Sequence, residues 1–166
     1  MKNNILITGS SSYIGKNLIS FLEKKKFKYV GIDITKPLNS KCLKINILDK
    51  NIDKKIKQKI DVIIHLAAIS TTSDADKNPS KTYEINVNGT INLLNFAKKR
   101  KVKKFIFAST EWVYGNFLNK EKKSVKSKID TTKLDNHYSL SKYLCENIIQ
   151  LNDDIMSVIL RFGIIY

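Results

Sequence analysis

The sequence predicts an α/β fold built on a doubly wound parallel sheet. Two observations predict it. Short apolar blocks such as Val62-Ile63-Ile64 and Phe105-Ile106-Phe107 alternate with longer helical patterns along all 166 residues. Those blocks are continuously apolar, as expected of strands covered by helices on both faces. Strand–helix alternation at this spacing builds βαβ units and therefore a parallel sheet.

The elements follow in order. A first strand is read at Asn4–Thr8, where Ile5-Leu6-Ile7 runs into Thr8-Gly9. A helix at Ile14–Lys26 ends in Lys24-Lys25-Lys26, cations that complement the helix dipole. Strands at Tyr29–Asp33 and Lys41–Ile45 come next, then a helix at Asp49–Lys59 and a strand at Asp61–Leu66. A long helix at Pro79–Arg100, again lysine-rich at its end, leads to the strand Lys104–Ser109. The polar, lysine-rich stretch Asn116–Asp135 reads as a mobile surface loop over the site. A helix at Asn136–Leu151 and a strand at Ser157–Phe162 close the chain. No repeat and no Pro/Gly linker interrupts this order, so residues 1–166 read as a single domain with a substantial core.

Composition narrows the function classes. No apolar run approaches the roughly 20 residues of a membrane helix, and no signal-peptide core follows Lys2. Cys42 and Cys145 have neither metal-ligand spacing nor a disulfide framework, which suits reduced thiols in a cytoplasmic protein; no metal site is expected. The net charge is +15, yet Arg100 and Arg161 are the only arginines and the lysines are dispersed. A nucleic-acid surface would cluster arginine and interleave aromatics, so nucleic acid is not the expected partner. The charge still favours anionic small molecules such as nucleotide diphosphates.

Three pieces carry the chemistry. Strand one passes into a turn bounded by Gly9 and Gly15, with Ser12 where a middle glycine would stand. Such a turn aims the free N–H groups of a helix start at a pyrophosphate, although glycine also serves ordinary strand–helix turns. A side chain at Ser12 crowds that approach, while its hydroxyl has a proton to donate to phosphate. Asp33 ends the second strand, where a carboxylate accepts from both ribose hydroxyls and repels a 2′-phosphate, favouring NAD over NADP. A solvated strand-end aspartate is the plain alternative. Asn46 and Ile47 close the third strand, where they could meet an adenine edge; small Ala67 and Ala68 let the backbone near a ligand. Finally, Tyr138 and Lys142 stand one helical turn apart after a strand ending Ala108-Ser109-Thr110, which places a tyrosine base beside a nicotinamide. His65, alone on an apolar strand, reads as a packed core residue.

Together these segments resemble the extended short-chain dehydrogenase/reductases, specifically the NAD-dependent epimerase/dehydratase group acting on nucleotide sugars. The resemblance runs over residues 3–166 through Thr8-Gly9, Tyr13-Ile14-Gly15, His65-Leu66-Ala67-Ala68, Asn86-Val87-Asn88-Gly89-Thr90, Ser109-Thr110-Glu111-Trp112-Val113-Tyr114-Gly115, Tyr138-Ser139-Leu140-Ser141-Lys142 and Leu160-Arg161-Phe162-Gly163. It implies a Rossmann-type sheet with Gly9, Ser12, Tyr13, Ile14, Gly15, Asp33, Asn46, Ile47, Leu66, Ala67, Ala68 and Asn86 around NAD, joined by Tyr138 and Lys142. It implies Thr110, Tyr138 and Lys142 as the catalytic set, with the Lys142 ammonium and the nicotinamide ring lowering the phenol's pKa from about 10. Tyr138 would take a sugar hydroxyl's proton as hydride leaves for NAD, with Thr110 in the same proton network.

The departures are equally specific. Asn46 stands where the family has aspartate, and His137 replaces a proline-rich lead-in to the tyrosine. The dehydratase Thr-Asp-Glu is Thr110-Glu111-Trp112, which lacks the second carboxyl and leaves epimerase or reductase chemistry ahead. Family members continue for over a hundred residues past the Arg-Phe-Gly segment, and that region forms most of the sugar pocket. The expectation is thus an NAD-binding, hydride-transferring domain without its C-terminal substrate domain; a non-catalytic NAD-binding remnant is the alternative. Family members often dimerise through the helices at Pro79–Arg100 and Asn136–Leu151, and Leu93, Leu94, Leu144 and Ile148 are compatible with a homodimer or with packing on the sheet.

Overall fold

The computed structural model describes residues 4–115 and 122–165. Six strands form one wholly parallel sheet: β1 Asn4–Thr8, β2 Lys28–Asp33, β3 Cys42–Lys44, β4 Val62–His65, β5 Lys104–Thr110 and β6 Met156–Phe162, in the order β3-β2-β1-β4-β5-β6. The order reverses between β1 and β4, so the crevice at their carboxyl ends is where such a sheet takes a ligand. This is the Rossmann-type doubly wound sheet expected from the sequence.

The central strands are apolar on both faces because both faces are covered. Leu6, Ile32, Ile63, Phe105 and Phe107 pack with Leu93, Phe96, Ala97 and Ile149 from the helices α5 (Gly89–Lys99) and α6 (His137–Gln150). Ile5, Ile7 and Val62 meet Ile19 and Leu22 of α1 (Tyr13–Lys24) on the other face. Over the outer strands that second face thins, and Val158 and Leu160 of β6 are exposed.

Several expected boundaries move. The helix expected at Asp49–Lys59 is one turn, α2 (Ile52–Lys55), after which Ile56 is extended. Ile56 and Ile60 are buried, and the Arg100 guanidinium donates to the carbonyls of Asp53, Ile56 and Gln58 in place of a helical ladder. A six-residue helix α3 (Thr72–Lys77) appears where no element was expected; Thr71 caps it by accepting from Asp74 N at 3.1 Å. The long helix Pro79–Arg100 is three pieces: α4 (Pro79–Tyr83), a π-turn at Glu84–Asn88, and α5. Of the expected loop Asn116–Asp135, residues 116–121 lie outside the described residues; the remainder is largely exposed, with one 3₁₀ turn at Thr131–Lys133. Leu93 and Leu94 are core and Ile148 packs against it, which leaves only Leu144 of the four proposed dimer contacts exposed. Among the described residues no helix is long and apolar enough to cross a membrane.

Candidate active site

The glycine turn is sterically dictated. Gly9 has φ +69°, and a Cβ there would lie 2.8 Å from the Ala67 amide nitrogen. A Cβ on Gly15 would lie 2.3 Å from the Gly9 carbonyl oxygen. Ser12 caps α1, its Oγ accepting from Gly15 N at 3.1 Å, which leaves the hydroxyl proton free to donate outward. Asp33 is tied to the same turn: Oδ2 accepts from Ser11 N at 3.0 Å, and Oδ1 accepts from Thr35 N and Oγ1.

These residues border a cleft of about 370 Å³, walled by Gly9, Ser12, Asp33, Asn46, Ile47 and Ala67. A second cleft of about 340 Å³ adjoins it and shares Leu66, Ala68 and Ser70. Its wall contains Tyr13, Ile14, Thr110, Tyr138 and Lys142. Of the predicted site residues, only Gly15 and Asn86 border neither space. Gly15 lies beneath the turn. Asn86 is buried, its amide accepting from Ile69 N and donating to Ile69 O and to Ser141 Oγ, which in turn donates to the Tyr138 carbonyl. Asn86 thereby couples the loop after β4 to α6 rather than bordering either cleft.

His65 is the core residue the sequence suggested, and its proton can be placed by accounting. Thr90 gives its single hydroxyl proton to the Asn86 carbonyl at 2.6 Å, so His65 Nε2, 3.0 Å away, must donate to Thr90. Nδ1 then accepts from Thr8 Oγ1 at 2.7 Å, and Thr8 Oγ1 accepts from Ala67 N. Burial, with help from the nearby Lys142 charge, pushes the imidazole pKa down to about 3. A neutral histidine thus braces the backbone of Ala67 from behind.

At the second cleft, Lys142 is fully buried and its Nζ lies 4.5 Å from the Phe107 ring centroid. Burial lowers its pKa to about 8, against the opposing charges of Cys145 and Glu146. The expected lowering of the Tyr138 pKa rests on Lys142 together with the nicotinamide ring, and the protein's own contribution runs the other way. Burial raises the phenol above its usual value, and the hydrogen bond with Thr110, not Lys142, opposes the rise.

Sequence reasoning missed the support behind this cleft. The Ser109 hydroxyl donates to buried Glu146 at 2.5 Å, Arg161 donates to both Glu146 oxygens, and Arg161 also reaches the Tyr114 hydroxyl at 2.6 Å. The pairing of a buried carboxylate with arginine joins β5, α6 and β6 just beneath Thr110 and Lys142. A glutamate one turn after Lys142 and the sole arginine of the last strand were the available signals. Trp112 also lines the cleft, with Phe162, Gly163, Ile164 and Ile165. Glu111 does not; its carboxylate rests against Gly163. Among the described residues no cluster of His, Cys, Asp or Glu is placed to hold a metal.

The profile of the NAD dependent epimerase/dehydratase family matches residues 5–163. The chain belongs to that family. It is 35% identical over 170 residues to the dTDP-D-glucose 4,6-dehydratase of Dictyostelium discoideum, covering 88% of this chain and 39% of that one. It is 31% identical to a putative UDP-glucose 4-epimerase of Methanocaldococcus jannaschii, covering 98% and 56% respectively. Among solved structures, the UDP-Glc/GlcNAc 4-epimerase of Campylobacter jejuni superposes with a TM-score of 0.84 at 26% identity, over 96% of this chain and 53% of the epimerase. The chain therefore spans about half the length of the epimerase/dehydratase relatives it matches.

Proposed function

We propose that this chain binds NAD and carries the hydride-transfer machinery of a nucleotide-sugar epimerase-like oxidoreductase. The convergence of Thr110, Tyr138 and Lys142 on a cleft that adjoins the one holding Asp33 supports the reading most directly. Adenosine fits the first cleft, with Asp33 accepting from the ribose and the α1 start facing the pyrophosphate. Bound NAD supplies the hydride acceptor and a positive ring close to Tyr138. The chain's own part is to hold the phenol against Thr110, keep Lys142 dry and within reach of the ribose, and exclude water between Ala68 and Phe162. Tyr138 takes the hydroxyl proton of the sugar as its carbon loses hydride, and Thr110 shares that proton network. Because burial alone raises the phenol's pKa, the base function depends on the positive charge arriving with the cofactor.

Trp112 in the wall and Glu111 outside it favour epimerase or reductase chemistry over elimination of water, which needs an acid pair at the cleft. A non-catalytic NAD-binding role is the second reading, since the cleft with Asp33 would hold the cofactor whether or not Tyr138 reacts. Mixing the chain with NAD and UDP- or dTDP-sugars and following reduced nicotinamide separates the two. Tyr138→Phe should lower hydride transfer by about a thousandfold with NAD affinity nearly unchanged. Full turnover by Tyr138→Phe would refute the assignment.

A further inference from the structure

Tyr138 sits in the first turn of α6, one residue after His137, and the first N–H groups of a helix have no partners within it. A reacting phenol in such a turn needs external support. Part of it is ordinary capping: Asn136 Oδ1 accepts from Ser139 N at 2.8 Å. The rest comes from α3 and α4. Asp76 of α3 accepts from His137 N at 3.0 Å, placing a carboxylate at the positive end of α6. Tyr83, the last residue of α4, brings its hydroxyl to 3.0 Å from His137 Nδ1, and the two rings meet edge to face at 5.6 Å and 88°.

We propose that the Tyr83–His137 pair is a positioning device that holds Tyr138 against Thr110. The pair touches neither cleft, so it acts through Tyr138. Tyr83 leads directly into the π-turn that carries Asn86, and Asn86 reaches the Tyr138 carbonyl through Ser141. The first turn of α6 is therefore held from two sides by one segment, residues 83–86. Removing the Tyr83 hydroxyl frees one side and leaves the core intact.

The proposal rests on Tyr138 being the base, so its test has two readouts. The first needs no turnover: the Tyr138 phenol is titrated by ultraviolet difference between each protein and the same protein carrying Tyr138→Phe. In the wild type its midpoint should stand above the ordinary tyrosine value because the ring is buried. Tyr83→Phe and His137→Ala should each move it back toward that value, whereas His137→Asn, whose amide offers both a donor and an acceptor near the Nδ1 position, should restore it. The second readout is hydride transfer, expected to fall about five- to tenfold in Tyr83→Phe with NAD affinity unchanged. The double variant Tyr83→Phe/His137→Ala should be no worse than the worse single one. An unmoved Tyr138 midpoint in both single variants overturns the proposal. So does failure of His137→Asn to restore it, or an equal loss of NAD binding and rate. A wild type that titrates as described but transfers no hydride would sink the catalytic reading alone.

Discussion

The two adjoining clefts are built on opposite principles. The one bounded by Gly9, Asp33 and Ile47 is made by backbone: positive φ at Gly9, close approach at Gly15, and a carboxylate already held by two loops. The one bounded by Thr110, Tyr138 and Lys142 is made by buried polar side chains whose charged forms burial disfavours, raising the phenol's pKa and lowering the ammonium's. The first is shaped by what cannot fit, and the second by what water no longer solvates. Substitutions should therefore act sterically in one and electrostatically in the other.

The sharpest break of the first region is Gly15→Ala. Its Cβ would overlap the Gly9 carbonyl, which belongs to the turn itself and has nowhere to move. A loss above about 5 kcal/mol and no measurable NAD binding are expected in denaturant and titration experiments. A folded Gly15→Ala protein that binds NAD would show that the turn is not sterically dictated. His65 stands behind both regions, and its effect is a pH effect. Its folded pKa, about 3, lies below that of an unfolded histidine, about 6.5, so the unfolded chain binds the extra proton between those values. Its contribution is complete above pH 6.5 and lost as pH falls toward 3, on the order of 5 kcal/mol in all. The stability difference between wild type and His65→Gln, measured by urea at each pH, should shrink over that window; a constant difference would refute the neutral brace.

This contrast also decides what could be read from the residues. The backbone-built cleft was legible, because Gly9, Gly15, Asp33, Ala67 and Ala68 each announce a steric or charge requirement at a strand end. The parallel, doubly wound class followed as directly, since continuous apolar blocks specify coverage on both faces. Short elements were illegible where distant groups stabilise them: Arg100 supplies the carbonyl partners beyond α2, and α3 is held by Thr82 at the Ala75 carbonyl and by His137 N at Asp76. In the second cleft the spacing brought Thr110, Tyr138 and Lys142 to one wall, but gave no measure of how burial acts on the phenol. Helical spacing gives a distance between two groups and says nothing of how dry each becomes. The Glu146–Arg161 pair joins groups on different elements, which no local pattern reports.

Lys142 tests the electrostatic principle directly. Its folded pKa of about 8 lies below the 10.5 of a free lysine, so the buried ammonium weakens the fold below pH 8. That cost is relieved as pH rises from 8 to 10.5, where the unfolded chain still holds the proton. Lys142→Met should therefore be more stable than wild type at pH 7, by on the order of 3 kcal/mol, with the gap closing by pH 10.5. Hydride transfer should be lost in the same variant, the trade expected when function needs a desolvated charge. Thermal melts across pH read the gap; a variant less stable than wild type at pH 7 would mean that the ammonium is better satisfied than its burial implies.

Asp33→Asn gives the smallest effect and separates the two roles of one carboxylate. The amide oxygen can still accept from Ser11 N, so the turn and the fold should survive with little change in melting temperature. What disappears is the negative charge facing the cleft. NAD affinity should fall about three- to tenfold as charge-assisted ribose bonds become neutral ones, about 1 kcal/mol. NADP affinity should rise, because a 2′-phosphate no longer meets a carboxylate. Parallel titrations with the two cofactors read the crossing. Should both fall together, Asp33 would be a brace of the Ser11 turn and nothing more, and the backbone-built cleft would owe its selectivity to another residue.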